Sequence, residues 1–225
     1  LHCDIQVADD GGSVQAAVDR ARPGDTLCIG PGRHAAHLVL PAHDLTLVGT
    51  AGAASTVLDG GGRGRVVDAS TPGDRTALTL RGLTLKGGRA SEGAALWSVG
   101  RKLILDDVVV QGNGASSTGA VGAVVVLADG TTLASRLRVM HNHTVGSGAR
   151  GAGIAVFGGA LTLQNSEVVG NTATANHGSV QGVGIVVEGA RLELAAVDIS
   201  ANGAEASERV EGVGVSIHNG ELVGN

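Results

Sequence analysis

A unit of about thirty residues recurs along the C-terminal part of this chain and restricts its fold more than any other feature. Units begin at five glycines, at intervals of 29, 29, 31 and 30 residues: Gly93, Gly122, Gly151, Gly182 and Gly212. Alignment of the units produces one aliphatic column, which holds Leu96, Val125, Ile154, Ile185 and Val215. A second column holds Val110, Val139, Val168 and Ile199, and a closing column holds Asn113, Asn142, Asn171 and Asn202. Agreement of several columns at once indicates a repeat architecture.

Within each unit the apolar residues alternate along three short runs. In the unit that begins at Gly151, the residues on one face are Ile154 and Val156, then Leu161 and Leu163, then Ser166 and Val168. A period of two indicates β-strands. Such short strands bury little within one unit, but each can pair with its equivalent in the next unit, about 4.8 Å away. The repeat therefore predicts a parallel β-helix, in which each unit is one coil with three strands.

The closing asparagines fit an inward ladder at one corner of the coils. Each amide can bond to the backbone of the turn and to the same residue one coil away, so that the buried polar groups satisfy one another. A metal site is the poorer interpretation, because amide oxygens are weak ligands and no carboxylates accompany them. The unit that begins at Gly122 is less clear. Its alternation places Thr132 and Ala134 inward, whereas a slip of one residue would turn Leu133 inward, and we expect an irregular turn there.

The N-terminal segment has the pattern of a cap. Ser13 precedes a helical period of small apolar residues that Pro23 and Gly24 end, and the strand "TLCI" follows. One amphipathic helix suits the open end of a β-helix, where the first coil would otherwise expose its core. We predict a single domain over 1–225, with a cap and first strand over 1–30, irregular early coils over 31–92 and regular coils over 93–225. Because the sequence stops at Asn225 within a unit, we expect a chain truncated at its C-terminus.

Several of these stretches resemble a known superfamily. The segments "PGDTLCIGPGRH", "LTLVG" and "TVLDG" resemble the opening of right-handed parallel β-helix proteins of the pectin-lyase-like superfamily. The later units are similar to the polymorphic outer-membrane-type repeats of bacterial surface proteins. The resemblance covers nearly the whole chain and implies an all-β, right-handed parallel β-helix. It implies little about function, since this fold carries lyases, hydrolases, esterases, adhesins and passenger domains.

Composition excludes several classes of protein. The net charge is −5 and no basic stripe is present, so a nucleic-acid partner is not expected. No run approaches the ~18 apolar residues of a membrane helix, so no transmembrane segment is expected. The chain has 38 glycines, one Trp, one Phe and no Tyr. We therefore expect a core of stacked Val, Ile, Leu and Ala.

The sequence offers no clear catalytic site. Glycoside hydrolases use two carboxylates that face one sugar bond, but the outward face of the first strands has no ionisable group in three of the five regular coils. The arginine and calcium-binding carboxylates of pectate lyases are not visible either. Asp106 and Asp107 lie at a corner, with Arg136 one coil on, which predicts a salt bridge between coils; a calcium site or an acid–base site is the alternative. Three histidines near the first-strand face have no aligned Cys, Asp or Glu and are weak candidates: His141, His143 and His177. We predict no catalytic residues, no metal ligands and no cofactor.

Two further features concern partners and location. Trp97, Val126, Phe157 and Val186 point outward by the period of two, which predicts an apolar interface or ligand face unless the long loops cover it. Cys3 and Cys28 are the only cysteines. In a chain of this type they suggest a disulfide and an oxidising compartment, with two free thiols as the alternative.

These observations lead to one expected function and one alternative. We expect a non-catalytic module of a secreted or cell-surface protein, structural, adhesive or ligand-binding. Carbohydrate, another surface protein or a second copy of the chain would be its partner. The alternative is a polysaccharide lyase or glycoside hydrolase that acts on uronate-type polymers.

Overall fold

A computed structural model describes residues 1–8, 13–70, 75–117 and 124–224 of the chain. Across these residues the protein is an all-β parallel solenoid of about six turns with one short helix near the N-terminus. Gly122, which begins one repeat unit, and Asn225 lie outside the described residues. Among the described residues, no helix has the length and apolar character needed to cross a membrane.

The solenoid is built from short strands that follow one another around each coil. In chain order the elements are β1 (Ile5–Val7), α1 (Val14–Val18), β2 (Thr26–Ile29), β3 (Gly32–Ala35), β4 (Leu38–Val39), β5 (Leu45–Gly49), β6 (Thr56–Asp59), β7 (Val67–Ala69), β8 (Ala77–Lys86), β9 (Arg89–Ala90), β10 (Leu96–Val99), β11 (Lys102–Gln111), β12 (Gly114–Ser117), β13 (Val125–Ala128), β14 (Thr131–Ser135), β15 (Arg138–Met140), β16 (His143–Gly146), β17 (Ala149–Arg150), β18 (Ile154–Phe157), β19 (Ala160–Val169), β20 (Thr172–Ala175), β21 (Val180–Gln181), β22 (Ile185–Glu188), β23 (Arg191–Asp198), β24 (Gly203–Ala206), β25 (Val210–Glu211), β26 (Val215–His218) and β27 (Glu221–Gly224).

These strands form four parallel sheets along the solenoid. Sheet A contains β1-β2-β5-β8-β11-β14-β19-β23-β27, with β3, β6 and β15 paired at its side. Sheet B is the stack of first strands, β4-β7-β10-β13-β18-β22-β26. Sheets C and D are β9-β12-β16-β20-β24 and β17-β21-β25. Equivalent residues of successive units pair in register, as Val125 does with Ile154 and Ile154 with Ile185, so like side chains stack on like.

The corners of the coils are residues in the left-handed region, also stacked in register. The long strands of sheet A bend at Asp107, Asn165 and Ala196, and Arg136 holds the same place between β14 and β15, with φ between 47° and 53°. The residues expected to form separate second and third strands, such as Leu161 and Val168, therefore lie on one bent strand, β19. A single left-handed residue turns the chain without the length of a separate loop.

The stretches "HTVGSGAR" (143–150) and "TATANHGSVQ" (172–181), which read as long loops in the sequence, contain strands of their own. They supply β16 and β17 in one coil and β20 and β21 in the next, and these pair in parallel with each other and with β24 and β25. Their buried side chains form a small separate core together with Ala152 and Val183, which follow the two stretches. The members from the stretches are Ala149, Ala173, Ala175 and Val180. Alternating small residues such as Ala173 and Ala175 are enough to form two short strands in each coil. The many glycines and polar residues of these stretches hide this alternation in the sequence.

The main core is aliphatic, as expected, and it settles the register of the unit that begins at Gly122. Thr132 and Ala134 are each 3% exposed, whereas Leu133 is 43% exposed. Thr132 pairs in register with Leu103 below and with Leu161 above. The one-residue slip does not occur and β14 is a regular strand, because in-register backbone pairing on both sides holds even where it turns a leucine outward.

The helix α1 closes the N-terminal end of this core. Ser13 is its N-cap and accepts a hydrogen bond from the Ala16 amide at 3.1 Å. Val14, Ala17 and Val18 are buried on the first coil. The Gln15 side chain accepts from the Val39 amide at 2.9 Å and donates to the Val39 carbonyl at 3.2 Å. It thus takes the place of a neighbouring strand at the edge of sheet B.

Candidate functional site

The closing asparagines form a buried ladder along one corner. Their amide groups bond from coil to coil, with Asn113 Nδ2 donating to Asn142 Oδ1 at 3.1 Å and Asn142 Nδ2 to Asn171 Oδ1 at 3.0 Å. The link from Asn171 to Asn202 is 3.1 Å long. Each Nδ2 also donates to a carbonyl of the preceding coil, such as that of Leu85 or Val110. The ladder therefore satisfies its own donors and acceptors, which is a structural role.

The Asp106–Asp107 corner is a site of ion pairing. Asp106 lies between two arginines from neighbouring coils, with Arg81 Nε at 3.2 Å and the Arg136 guanidinium in direct contact. Arg138 lies 4.0 Å from Asp107. These contacts match the salt bridge expected between coils, since both carboxylate oxygens of Asp106 already face a guanidinium.

The histidine candidates are not assembled into a site. His143 Nδ1 lies 2.9 Å from the Thr172 hydroxyl, and His141 occupies a left-handed corner with φ 53°. Across 1–8, 13–70, 75–117 and 124–224, no three side chains of His, Cys, Asp or Glu are grouped closely enough to hold a metal ion.

The predicted first-strand face is mostly buried within the chain. Val126 and Val186 are 3% and 1% exposed, and they pack with Ala155 between the half-buried rings of Trp97 and Phe157. The face is predicted to be a contact surface unless it is covered, and the burial of both valines shows that it is covered there. Gly182, which opens its unit, lies close over the first strand, since a Cβ on it would lie 2.8 Å from the Val186 Cβ. A Cβ on Gly93 would lie 2.8 Å from the Trp97 Cβ.

Arg65 covers the outer side of Trp97 and ties the early coils to this cluster. Its guanidinium carbon lies 4.2 Å from the ring centroid. Its Nε donates to the Gly93 carbonyl at 2.9 Å, and its Nη1 lies 2.5 Å from an Asp68 oxygen. The arginine therefore holds Trp97 in place at the edge of the apolar cluster through a cation–π contact and hydrogen bonds.

A shallow groove on the outer face of sheet A is the surface feature that sequence reasoning missed. Its floor includes Ile104 and Leu133, and it is lined further by Arg81, Asp106, Thr162 and Gln164. Leu133 is the leucine that β14 turns outward. An alternation that points Leu133 outward would have located the groove. The sequence alone did not decide this register.

Arg101 is a second residue that sequence reasoning missed. It is 1% exposed, and its Nη2 and Nε donate to the carbonyls of Pro41 and Ala69 at 2.6 and 3.1 Å. The arginine thereby joins coils that are distant in sequence. Nothing in its local sequence distinguishes it from a surface arginine.

The outer face of sheet A also contains a paired carboxylate whose titration is altered. Arg191 donates to Glu193 at 2.6 and 2.9 Å, and Thr162 donates to it at 3.1 Å. These hydrogen bonds, first that from Arg191, lower the pKa of Glu193 below its usual value. The pairing thus stabilises the fold at neutral pH, and this contribution is lost as the pH falls through the lowered pKa.

The cysteines are bonded at the cap. Cys3 and Cys28 form a disulfide with a Cα–Cα distance of 5.6 Å. It joins the segment before β1 to β2, next to the strand pairing of Gln6 with Cys28. The first strand of sheet A is thus attached covalently as well as by hydrogen bonds.

Comparison with known proteins adds no family to this description. The chain matches no protein-family model, and no curated protein matches it.

Proposed function

We propose that this chain is a non-catalytic module of a secreted or cell-surface protein, and that it acts as a rigid structural or adhesive element. We place it, on its sequence features, with the right-handed pectin-lyase-like β-helices of bacterial repeat type. Six turns at one strand spacing each give a rod about 30 Å long. A rod of this kind suits a spacer or display surface.

The observation that carries the proposal is the pairing of surface carboxylates with arginines. Asp106 lies between Arg81 and Arg136, and Glu193 is held by Arg191. A carboxyl group that acts as a general acid or base must be free to exchange a proton with the substrate. Both carboxylates already face a guanidinium group, and Asp106 thereby links neighbouring coils, so we assign these residues a structural role.

The disulfide supports the proposed location. Disulfides persist in oxidising compartments and are rare in the cytosol. A bond that fixes the cap strand to the first coil suits a protein that must keep its fold outside the cell.

The groove on sheet A supports an adhesive role with carbohydrate as the partner. Ile104 and Leu133 provide an apolar floor for the C–H face of a sugar ring. Gln164 and Thr162 at its edge supply hydrogen-bonding groups for hydroxyls. Of the two floor residues, Ile104 is half-buried and Leu133 is 43% exposed, so the apolar contact area is small. We therefore expect weak binding that depends on many copies.

An experiment on polysaccharides tests both the proposal and its alternative. Uronate polymers and neutral glycans are incubated with the protein, and new reducing ends are measured alongside binding to an immobilised glycan panel. We expect no cleavage, and we expect binding that Leu133→Asp weakens and Val39→Asp leaves unchanged, since Val39 is 67% exposed outside the groove. Cleavage of a uronate polymer that Asp106→Asn abolishes would overturn the proposal in favour of a lyase or hydrolase.

A further inference from the structure

Three Asn-Gly pairs occur in the chain: Asn113–Gly114, Asn202–Gly203 and Asn219–Gly220. In such a pair the glycine amide nitrogen can attack Cγ of the asparagine. The new N–C bond closes a succinimide ring and the side-chain nitrogen leaves as ammonia. Solvent water then opens the ring to aspartate or isoaspartate. Glycine has no Cβ to obstruct the attack, so the fold decides which of the three pairs reacts.

The two pairs in the ladder have both reacting groups engaged. The Gly114 amide donates to the Gly88 carbonyl at 2.9 Å and the Gly203 amide to the Asn171 carbonyl at 2.9 Å. The Asn113 side chain donates to the Leu85 carbonyl at 3.1 Å and is 2% exposed. Asn202 Nδ2 donates to the Val168 carbonyl at 2.9 Å. Ring closure at either site would break these bonds inside the solenoid.

The third pair differs in both respects. Asn219 is exposed, in the turn between β26 and β27. Within the described part of the chain, neither its side chain nor the Gly220 amide has a hydrogen-bond partner. The electrophile and the nucleophile are therefore both available, and no internal bond is lost when they meet.

We propose that Asn219 is a site of spontaneous deamidation in the folded protein, and that the ladder protects Asn113 and Asn202 from the same reaction. The reaction replaces a neutral amide with a carboxylate at a solvent-facing corner. The isoaspartate product also lengthens the main chain at that corner by one methylene. The modification is thus confined to the surface, and the ladder keeps its amides.

Peptide mapping after alkaline incubation tests this proposal. The native protein is held at mildly alkaline pH, digested and examined by mass spectrometry for conversion of amide to carboxyl and for isoaspartate. We expect conversion in the peptide that contains Asn219, and none in those that contain Asn113 or Asn202. Asn219→Gln should abolish the native signal, because the longer side chain closes a ring slowly.

A parallel incubation in concentrated urea supplies the control. Unfolding releases the ladder, so all three asparagines should then react at comparable rates. The proposal is overturned if Asn219 is unchanged in the native protein, or if Asn113 or Asn202 reacts as fast as Asn219 there. It is equally overturned if the ladder asparagines stay unreacted in urea, since protection would then not come from the fold.

Discussion

Single residues hold the coils together by bonding in both directions along the solenoid. Asn142 accepts from the Asn113 amide at 3.0 Å and from its side chain at 3.1 Å, and it donates to the Val110 carbonyl at 3.0 Å. It is 1% exposed, so water cannot replace these partners. The left-handed corner residues are a second feature that repeats from coil to coil. The chain needs a positive φ there to turn, whichever side chain is present.

The substitution Asn142→Ala is expected to reduce the free energy of unfolding by about 2–4 kcal/mol, because it leaves several buried polar groups without partners. Asn202→Ala is the matched control at the half-buried end of the ladder, and its effect should be smaller. Urea unfolding of both variants measures the difference. Equal losses would show that the buried ladder bonds contribute no special stability.

Two substitutions at one corner column test the cost of left-handed backbone. Ala201 has φ 52° and Gly112 has φ 62° at the equivalent place. We expect Ala201→Gly to raise the free energy of unfolding by about 0.5–1 kcal/mol through relief of backbone strain. Gly112→Ala should lower the free energy of unfolding by about 1 kcal/mol, because a side chain with a Cβ is strained at a positive φ. The added Cβ itself has room, since its nearest neighbours are Lys86 side-chain carbons at 3.9 Å and beyond. Thermal melts that shift in the same direction for both variants would contradict this account.

At the scale of elements, the N-terminal cap solves two problems of an open solenoid end. The helix α1 buries Val14, Ala17 and Val18 against the core, and Gln15 occupies the edge of β4 through both polar groups of Val39. An open strand edge invites pairing with another chain. One short element thus covers an apolar core and a backbone edge together.

Replacement of Gln15 tests the protection of this edge. In Gln15→Leu the Val39 amide and carbonyl lose their partners, and we expect faster concentration-dependent self-association. Gln6→Leu is the matched control, because Gln6 is exposed and its side chain has no hydrogen bond within the described residues. Light scattering over time compares the two variants. Identical scattering would contradict an edge-closing role for Gln15.

The disulfide of the cap has a separate test. Cross-linking residues 25 positions apart constrains the unfolded chain, so reduction should lower the free energy of unfolding by about 3 kcal/mol. Unfolding curves with and without reductant measure this difference. Alkylation of both cysteines in native, unreduced protein would show that the bond is absent in solution.

At the scale of the whole molecule, the sequence predicts the solenoid because its evidence is repeated. Any one unit is ambiguous, but the columns of Ile154 and Asn142 recur in several coils and specify both the stacking and the ladder. Thr132 and Leu133 could not be placed, because only pairing with the neighbouring coils decides their register. Whether Val126 is covered stayed open for a related reason, since an alternation of two gives the side of a strand and not what covers it.

The stacking of outward residues gives the most direct test of the central claim, which is parallel, in-register coils. Leu133 pairs with Thr162, and Thr162 pairs with Glu193 one coil further. Cysteines placed at 133 and 162 would lie one strand spacing apart, about 4.8 Å, within the reach of a disulfide. Cysteines at 133 and 193 would lie two spacings apart, about 9.6 Å, beyond that reach.

Mild oxidation of the two double variants, each also lacking Cys3 and Cys28, provides the measurement. We predict that Leu133→Cys with Thr162→Cys forms an intramolecular disulfide rapidly, detected by mass spectrometry, and that Leu133→Cys with Glu193→Cys does not. Rapid bonding of the second pair together with a free first pair would contradict the stacked coils.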